Sequence, residues 1–200
     1  MSGLLSDSEL LRLRHTLIEP FDAKCVQPAS YDLSLHSEAL ALPDPGVTSI
    51  VDLRTDDPRS LMRPVELGEG YDLIPGACLI ASTVEVIRCP DDIAARVEGK
   101  SSLGRLFLSV HTTAGWIDPG WRGQVTLELV NHAPWAITLW RGMKIAQINF
   151  TRMESPCAVP YGAPHLGSHY QGQQGPTAAI GRRSLEQNGI QAGVEKKVGK

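Results

Sequence analysis

Gln124-Val125-Thr126-Leu127-Glu128-Leu129-Val130 decides how this chain is read. Successive side chains of a strand point to opposite faces, so Val125, Leu127 and Leu129 share one side and Thr126, Glu128 and Val130 the other. The first face is wholly apolar and belongs against a core. A strand buried on one face only is a unit of antiparallel sheet, whereas parallel strands are buried on both. Glu128 stands mid-strand in an apolar run, and two placements are open for it. It faces solvent on the wet side of the sheet, or it lies in a cleft, where loss of water brings a carboxylate toward neutral titration and general acid–base work.

The same texture runs outward in both directions. Short β-branched and aromatic runs, punctuated by Pro and Gly, predict strands over residues 30–35, 71–74, 78–86, 95–98, 124–130, 136–139 and 145–150. Leu73-Ile74-Pro75-Gly76 and Ile117-Asp118-Pro119-Gly120 supply turn chemistry. Near the start, Ser6 and Glu9 have capping-box spacing, Leu10, Leu11, Leu13 and Leu17 follow, and Glu19-Pro20 ends the predicted helix. A short helix is also predicted over 101–110, because Leu103, Leu106 and Val110 recur at spacings of three and four. Strands that do not alternate with long helices predict a mainly β fold, an antiparallel barrel or sandwich.

The chain has 200 residues, 42% hydrophobic and 20% charged, with a formal net charge of −3. That is one folded unit with enough apolar surface to exclude global disorder. The acidic balance argues against nucleic acid as the main partner. No stretch reaches the roughly 18 apolar residues of a membrane span, and no secretory leader is expected, so the expected location is the cytoplasm. Cys25, Cys78, Cys89 and Cys157 form no C-x-x-C pair and are expected to be reduced thiols. From about Gly162 the composition turns to Gly, Gln and basic residues. Residues 1–175 are therefore expected to form the domain and 176–200 a flexible tail.

Three segments carry polar groups where a strand protein needs only filler. Gly99-Lys100-Ser101-Ser102-Leu103-Gly104-Arg105 could be a solvated turn with a helix start, or a nest of backbone N–H groups for an anion. Asp118, flanked by Trp116 and Trp121, could simply form a Pro-Gly turn, while the two indoles could pack in the core or wall a pocket for a ring. Glu128 is the third. His36-Ser37-Glu38 followed by Pro156-Cys157 imitates a zinc deaminase signature, but Pro160 stands where its second cysteine belongs, so no zinc is expected.

Taken together, these segments resemble the dCTP deaminase family of the trimeric dUTPase superfamily. Gln27-Pro28-Ala29-Ser30-Tyr31-Asp32, Gly142-Met143-Lys144-Ile145 and Tyr170-Gln171-Gly172-Gln173-Gln174-Gly175 add to the likeness. The resemblance implies a distorted, dUTPase-like antiparallel β-barrel assembled as a homotrimer with sites shared between subunits. It implies zinc-independent hydrolytic deamination of dCTP, with dUTP as a further ligand, dTTP as an inhibitor and Mg²⁺ carried on the phosphates.

By the same resemblance Glu128 would shuttle protons, Ser101 would position the water and Arg105 would supply positive charge. The segment Lys100, Ser101, Ser102, Leu103, Gly104 and Arg105 would hold triphosphate. Asp118 would bond the deoxyribose, Thr126 and Leu127 would line the base pocket, and Tyr161 and Gln173 would close the tail over the nucleotide. Gly115-Trp116, Gln147 and the Gly167-Ser168-x-Tyr170-Gln171-Gly172-Gln173 tail resemble the branch that continues to dUMP and diphosphate. There Gly115 would leave room for a water near the α-phosphate. His169 replaces a common tail lysine, exchanging a fixed charge for one that titrates near neutrality. Alternatives are a deaminase that stops at dUTP, a plain dUTPase, and a nucleotide-binding regulator without turnover.

Overall fold

The computed structural model describes residues 2–42, 50–52 and 56–180. The chain enters through strand β1 (Gly3–Leu4) and helix α1 (Asp7–Leu17). Asp7 and Glu9 in the first turn of α1 and Arg14 and His15 in its last complement the helix dipole. The predicted capping box does not form. Ser6 Oγ meets Ser8 Oγ at 3.0 Å, and Arg12 engages both carboxylate oxygens of Glu9. An ion pair one turn along thus outcompetes the reach back to the cap. Leu10 and Leu17 bury the inner face.

Short strands β2 (Ile18–Glu19) and β3 (Val26–Gln27) follow, then β4 (Ser30–Ala41), β5 (Arg63–Glu66), β6 (Tyr71–Leu73), β7 (Cys78–Arg88) and β8 (Ile93–Gly99). After helix α2 (Ser101–Gly104) come β9 (Leu108–Ser109), β10 (Trp116–Ile117), β11 (Arg122–Asn131), β12 (Ile137–Leu139) and β13 (Lys144–Arg152). Every predicted strand is present. The predicted helix over 101–110 shrinks to α2, because Phe107 takes a left-handed φ of 62° and Leu108–Ser109 pair with Val130 and Asn131 instead.

All pairings are antiparallel. The main sheet runs β10-β8-β13-β4-β7-β11-β9, and β12 pairs with β6 apart from it. Register shifts interrupt β4 between Leu35 and Ala39, β11 between Gln124 and Thr126, and β13 between Lys144 and Ala146. Such bulges bend and twist their strands, which curls the sheet into a distorted half-barrel. Inside it lie Leu33, Leu35, Leu127, Leu129, Ile148 and Phe150, none exposing surface. Each fully buried side chain of this size contributes roughly 1.5–3 kcal/mol.

The end of β11 is pinned by Asn131. Its fully buried amide donates to the Leu73 and Trp135 carbonyls at 2.7 and 2.8 Å and accepts from Ala133 N–H at 2.9 Å. Of the expected flexible tail, Ala178 is in fact buried, while residues 181–200 lie outside the described residues. Among the described residues no helix is long and apolar enough to cross a membrane. All four cysteines are free.

Candidate active site

β11 alternates as its sequence requires. Val125, Leu127 and Leu129 are buried, while Thr126, Glu128 and Val130 are half-buried on the other face. That second face is the floor of a cavity of about 350 Å³. Glu128 therefore stands in a cleft. Its Oε2 accepts from Thr112 N–H at 3.2 Å. Trp116, Asp118, Trp121 and Tyr161 form the wall. The Trp116 indole N–H donates to Asp118 Oδ1 at 3.0 Å, so this aspartate is aimed by its neighbour as well as by its Pro-Gly turn. Leu127 does not line the cavity. Period two turns it into the core, where it is fully buried, and this corrects its expected place beside the base.

The tail closes the cavity from above. Gln173 donates through Nε2 to the Gln124 carbonyl at 2.7 Å and to Thr126 Oγ1 at 3.1 Å, and its own carbonyl accepts from Gln124 N–H at 3.1 Å. Trp121 Nε1–H donates to the Tyr170 carbonyl, and Tyr161 OH accepts from Tyr170 N–H. Gly120 makes the underlying turn with φ +90°. A Cβ there would lie 2.5 Å from Pro160 Cβ and 2.8 Å from Tyr161 N, so only glycine fits. His169 packs edge-on against Tyr170 and does not line this cavity.

Lys100, Ser101 and Ser102 lie elsewhere. With Gln27, Pro28, Ser30, Asp32 and Gln147 they line a second cavity of about 330 Å³ that shares no residue with the first. Lys100 Nζ donates to Asp32 Oδ1 at 2.5 Å, and Gln147 donates to the Gly99 carbonyl at 3.0 Å. Leu103 is buried beneath the loop, and Gly104 and Arg105 are exposed at its end. One chain therefore carries a carboxylate half and a Lys-Ser-Ser half, and does not bring them together.

Gly115 is not the open space expected of it. A Cβ would meet the Val97 carbonyl at 2.8 Å and His111 Nε2 at 3.2 Å. The glycine lets the loop approach β8, where Gly115 carbonyl accepts from Val97 N–H at 2.8 Å.

A family model described as dCTP deaminase-like matches residues 4–153. A relative from Mycolicibacterium smegmatis, named dCTP deaminase, dUMP-forming, is 46% identical over 178 residues, covering 87% of this chain and 94% of its own. Another of that name, from Corynebacterium glutamicum, is 48% identical over 160 residues, covering 80% and 85%. The chain belongs to the dCTP deaminase-like family.

Among solved structures, the 2′-deoxycytidine 5′-triphosphate deaminase of Agrobacterium tumefaciens is 27% identical, with a TM-score of 0.61 over 76% of this chain. The present chain spans about half the length of that one (49%).

In this dCTP deaminase-like chain the cavity also uses residues that local sequence did not single out as site residues. Ile80, Ala114, Tyr170, Thr177 and Ala179 are among them. Ile80 is the direct cross-strand partner of Glu128, a pairing visible only once the register of β7 against β11 is known. Asp32 belongs to the second cavity, and its signal was its place in the Gln27–Asp32 segment. Among the described residues, no group of three or more His, Cys, Asp or Glu side chains could hold a metal ion.

Proposed function

We propose that this chain is a hydrolase that deaminates dCTP and carries the product on to dUMP and diphosphate. The observation that carries this reading is the Glu128 carboxylate, held by a backbone N–H inside an aromatic-walled cavity with Asp118 and Thr126. Water attacks C4 of the cytosine ring while Glu128 takes one of its protons and delivers it to N3. The remaining hydroxyl proton then passes through the same carboxylate to the amino group, which departs as ammonia. One group acts as base and then as acid, and the oxygen balance closes with the new C4 carbonyl. Asp118 accepts from the deoxyribose hydroxyl, and Trp116 and Trp121 flank the nucleoside.

The triphosphate belongs to the Lys100–Arg105 loop of a neighbouring copy, in a homotrimer whose Ser101 and Arg105 complete the Glu128 cavity. The disjoint linings of the two cavities support this arrangement. Among the described residues, the only carboxylate lining the second cavity, Asp32, is engaged by Lys100. The lining thus fits a cation that arrives on its nucleotide better than one held in a protein cage, and Mg²⁺ would there offset phosphate charge.

The test is dCTP with Mg²⁺ and protein, the products resolved by ion-exchange chromatography. Ammonia, dUMP and diphosphate are expected. Accumulating dUTP would remove the second step, and absent ammonia would remove the whole reading. Glu128→Gln keeps the shape and deletes the shuttle. It is expected to lower ammonia release by at least about 10²-fold, with unchanged thermal unfolding.

A further inference from the structure

Outside both cavities, one thiol touches an amine. Lys144 Nζ lies 2.6 Å from Cys25 Sγ and 3.0 Å from Ser34 Oγ. The first distance is shorter than a relaxed N–H···S hydrogen bond. Cys25 ends a 3₁₀ turn (Ala23–Cys25), and Lys144 opens β13, 119 residues away in sequence. Asp22 N–H donates to Tyr31 OH at 2.9 Å, and Ser34 N–H donates to Glu85 Oε2 at 2.9 Å, so the elements around the pair are fixed. The thiol is buried and the lysine beside it is exposed, so a small oxidant would have to reach the sulfur along the lysine side. None of the steps assigned to Glu128, Ser101 or Arg105 uses either group.

We propose that Cys25 and Lys144 form a peroxide-responsive covalent cross-link. The thiolate is the form that attacks peroxide, and the Lys144 Nζ at 2.6 Å is placed to take part in the next step. Sγ attacks one peroxide oxygen, the O–O bond breaks, and the departing hydroxide takes a proton from Lys144 to become water. This leaves a sulfenic acid beside a neutral amine. The Nζ lone pair then attacks Sγ, the S–O bond breaks, and the second hydroxide leaves with another Nζ proton as water. Thiolate, ammonium and one hydrogen peroxide become one sulfenamide S–N bond and two waters. Sulfur is oxidised by two electrons and peroxide is reduced by two, in the same chemistry by which sulfenic acids condense with nitrogen elsewhere.

The other cysteines lack this combination. Burial, reinforced by the Asp118 charge, pushes the Cys89 thiol up to about 12, out of reach of thiolate chemistry. Cys78 and Cys157 are half-buried, and among the described residues no cationic side chain is hydrogen-bonded to either. The cross-link would also join two walls of the second cavity. Cys25 leads into β3, whose Gln27 lines it, and β13 supplies Gln147.

The experiment treats the whole protein with stoichiometric hydrogen peroxide, digests it without reductant and maps the peptides by mass spectrometry. The expected product is a linked pair carrying Cys25 and Lys144, lighter than its two parents by two hydrogens and released by dithiothreitol. A pair heavier than that by one oxygen upholds the cross-link in its N–O–S form, which takes a second peroxide. In Lys144→Arg the pair disappears, and trapping of Cys25 by dimedone rises several-fold, because the sulfenic acid has no amine to consume it. Two results overturn the proposal. In one, Cys25 stays a free thiol while Cys157 is fully oxidised. In the other, Cys25 is converted to sulfinic acid with Lys144 untouched, identically in wild type and Lys144→Arg. The wild-type map decides the matter even if a variant does not fold. No nucleotide is involved, so this test stands or falls apart from the deaminase reading.

Discussion

Glu85 is a buried acid with no step in the proposed chemistry. Burial pushes its carboxyl above the ordinary value of 4.5, against the opposing pull of Ser34 N–H and the Lys144 ammonium. A folded-state value raised above the unfolded one means the native chain holds the proton more tightly. Ionising Glu85 therefore opposes folding, by an amount that is absent below 4.5 and grows as pH rises through its folded value. Glu85→Gln keeps an acceptor for Ser34 N–H and removes that penalty. Its Tm is expected to exceed the wild-type Tm at mildly alkaline pH and to converge with it in acid, read by thermal melts across pH. Nothing in the local sequence marked this residue. Glu85 sits among alternating strand positions, and only the fold shows that its face is closed to water. Glu128 was legible in position, since period two placed it opposite the core, but not in exposure. Which of its two open placements holds depends on a tail more than forty residues on.

At the scale of elements, β11 and the tail behave as one unit. The Gln124–Gln173 backbone and side-chain bonds lay residues 172–175 along the start of the strand that carries Thr126 and Glu128. Gly120→Ala tests that coupling. Its φ of +90° and the crowding from Pro160 and Tyr161 predict a loss of about 1–3 kcal/mol in denaturant melts. Because the displaced segment closes the cavity, the KM for dCTP is expected to rise more than kcat falls. Long strands with a clean period were readable in the sequence. β5 was not, because Pro64 interrupts a four-residue edge strand, and β1, β2, β3, β9 and β10 are too short to carry any period. The helix predicted over 101–110 failed for a different reason. Leucine spacing matched a helix by coincidence, and the left-handed Phe107 together with pairing to β11 won.

For the whole molecule, the separation of the two cavities sets the expectation. If the Glu128 half of one copy meets the Ser101 half of another, a Glu128→Gln chain and a Ser101→Ala chain are each inactive alone but rescue one another in mixed assemblies. Unfolding and refolding them together in equal amounts should restore about a quarter of the wild-type sites, since each site draws both intact halves with even odds. No recovery would place both halves within one chain. This split could not be seen in the order of residues alone. Gly99–Arg105 and Gln124–Val130 lie close in sequence, and only the curl of the sheet sends them to different walls.

Trp116 offers a way to watch this molecule without labels. It is 61% exposed on the wall of the Glu128 cavity, with its indole N–H tied to Asp118. A pyrimidine sliding over that ring would strip water from the indole and disturb its bond to the carboxylate, changing its emission. Trp116→Phe should remove most of the nucleotide-dependent part of the ultraviolet fluorescence, leaving the smaller share of the buried Trp121 on the same wall, while the other three tryptophans keep glowing. Occupancy could then be followed in real time, in a chain disabled for turnover, as light.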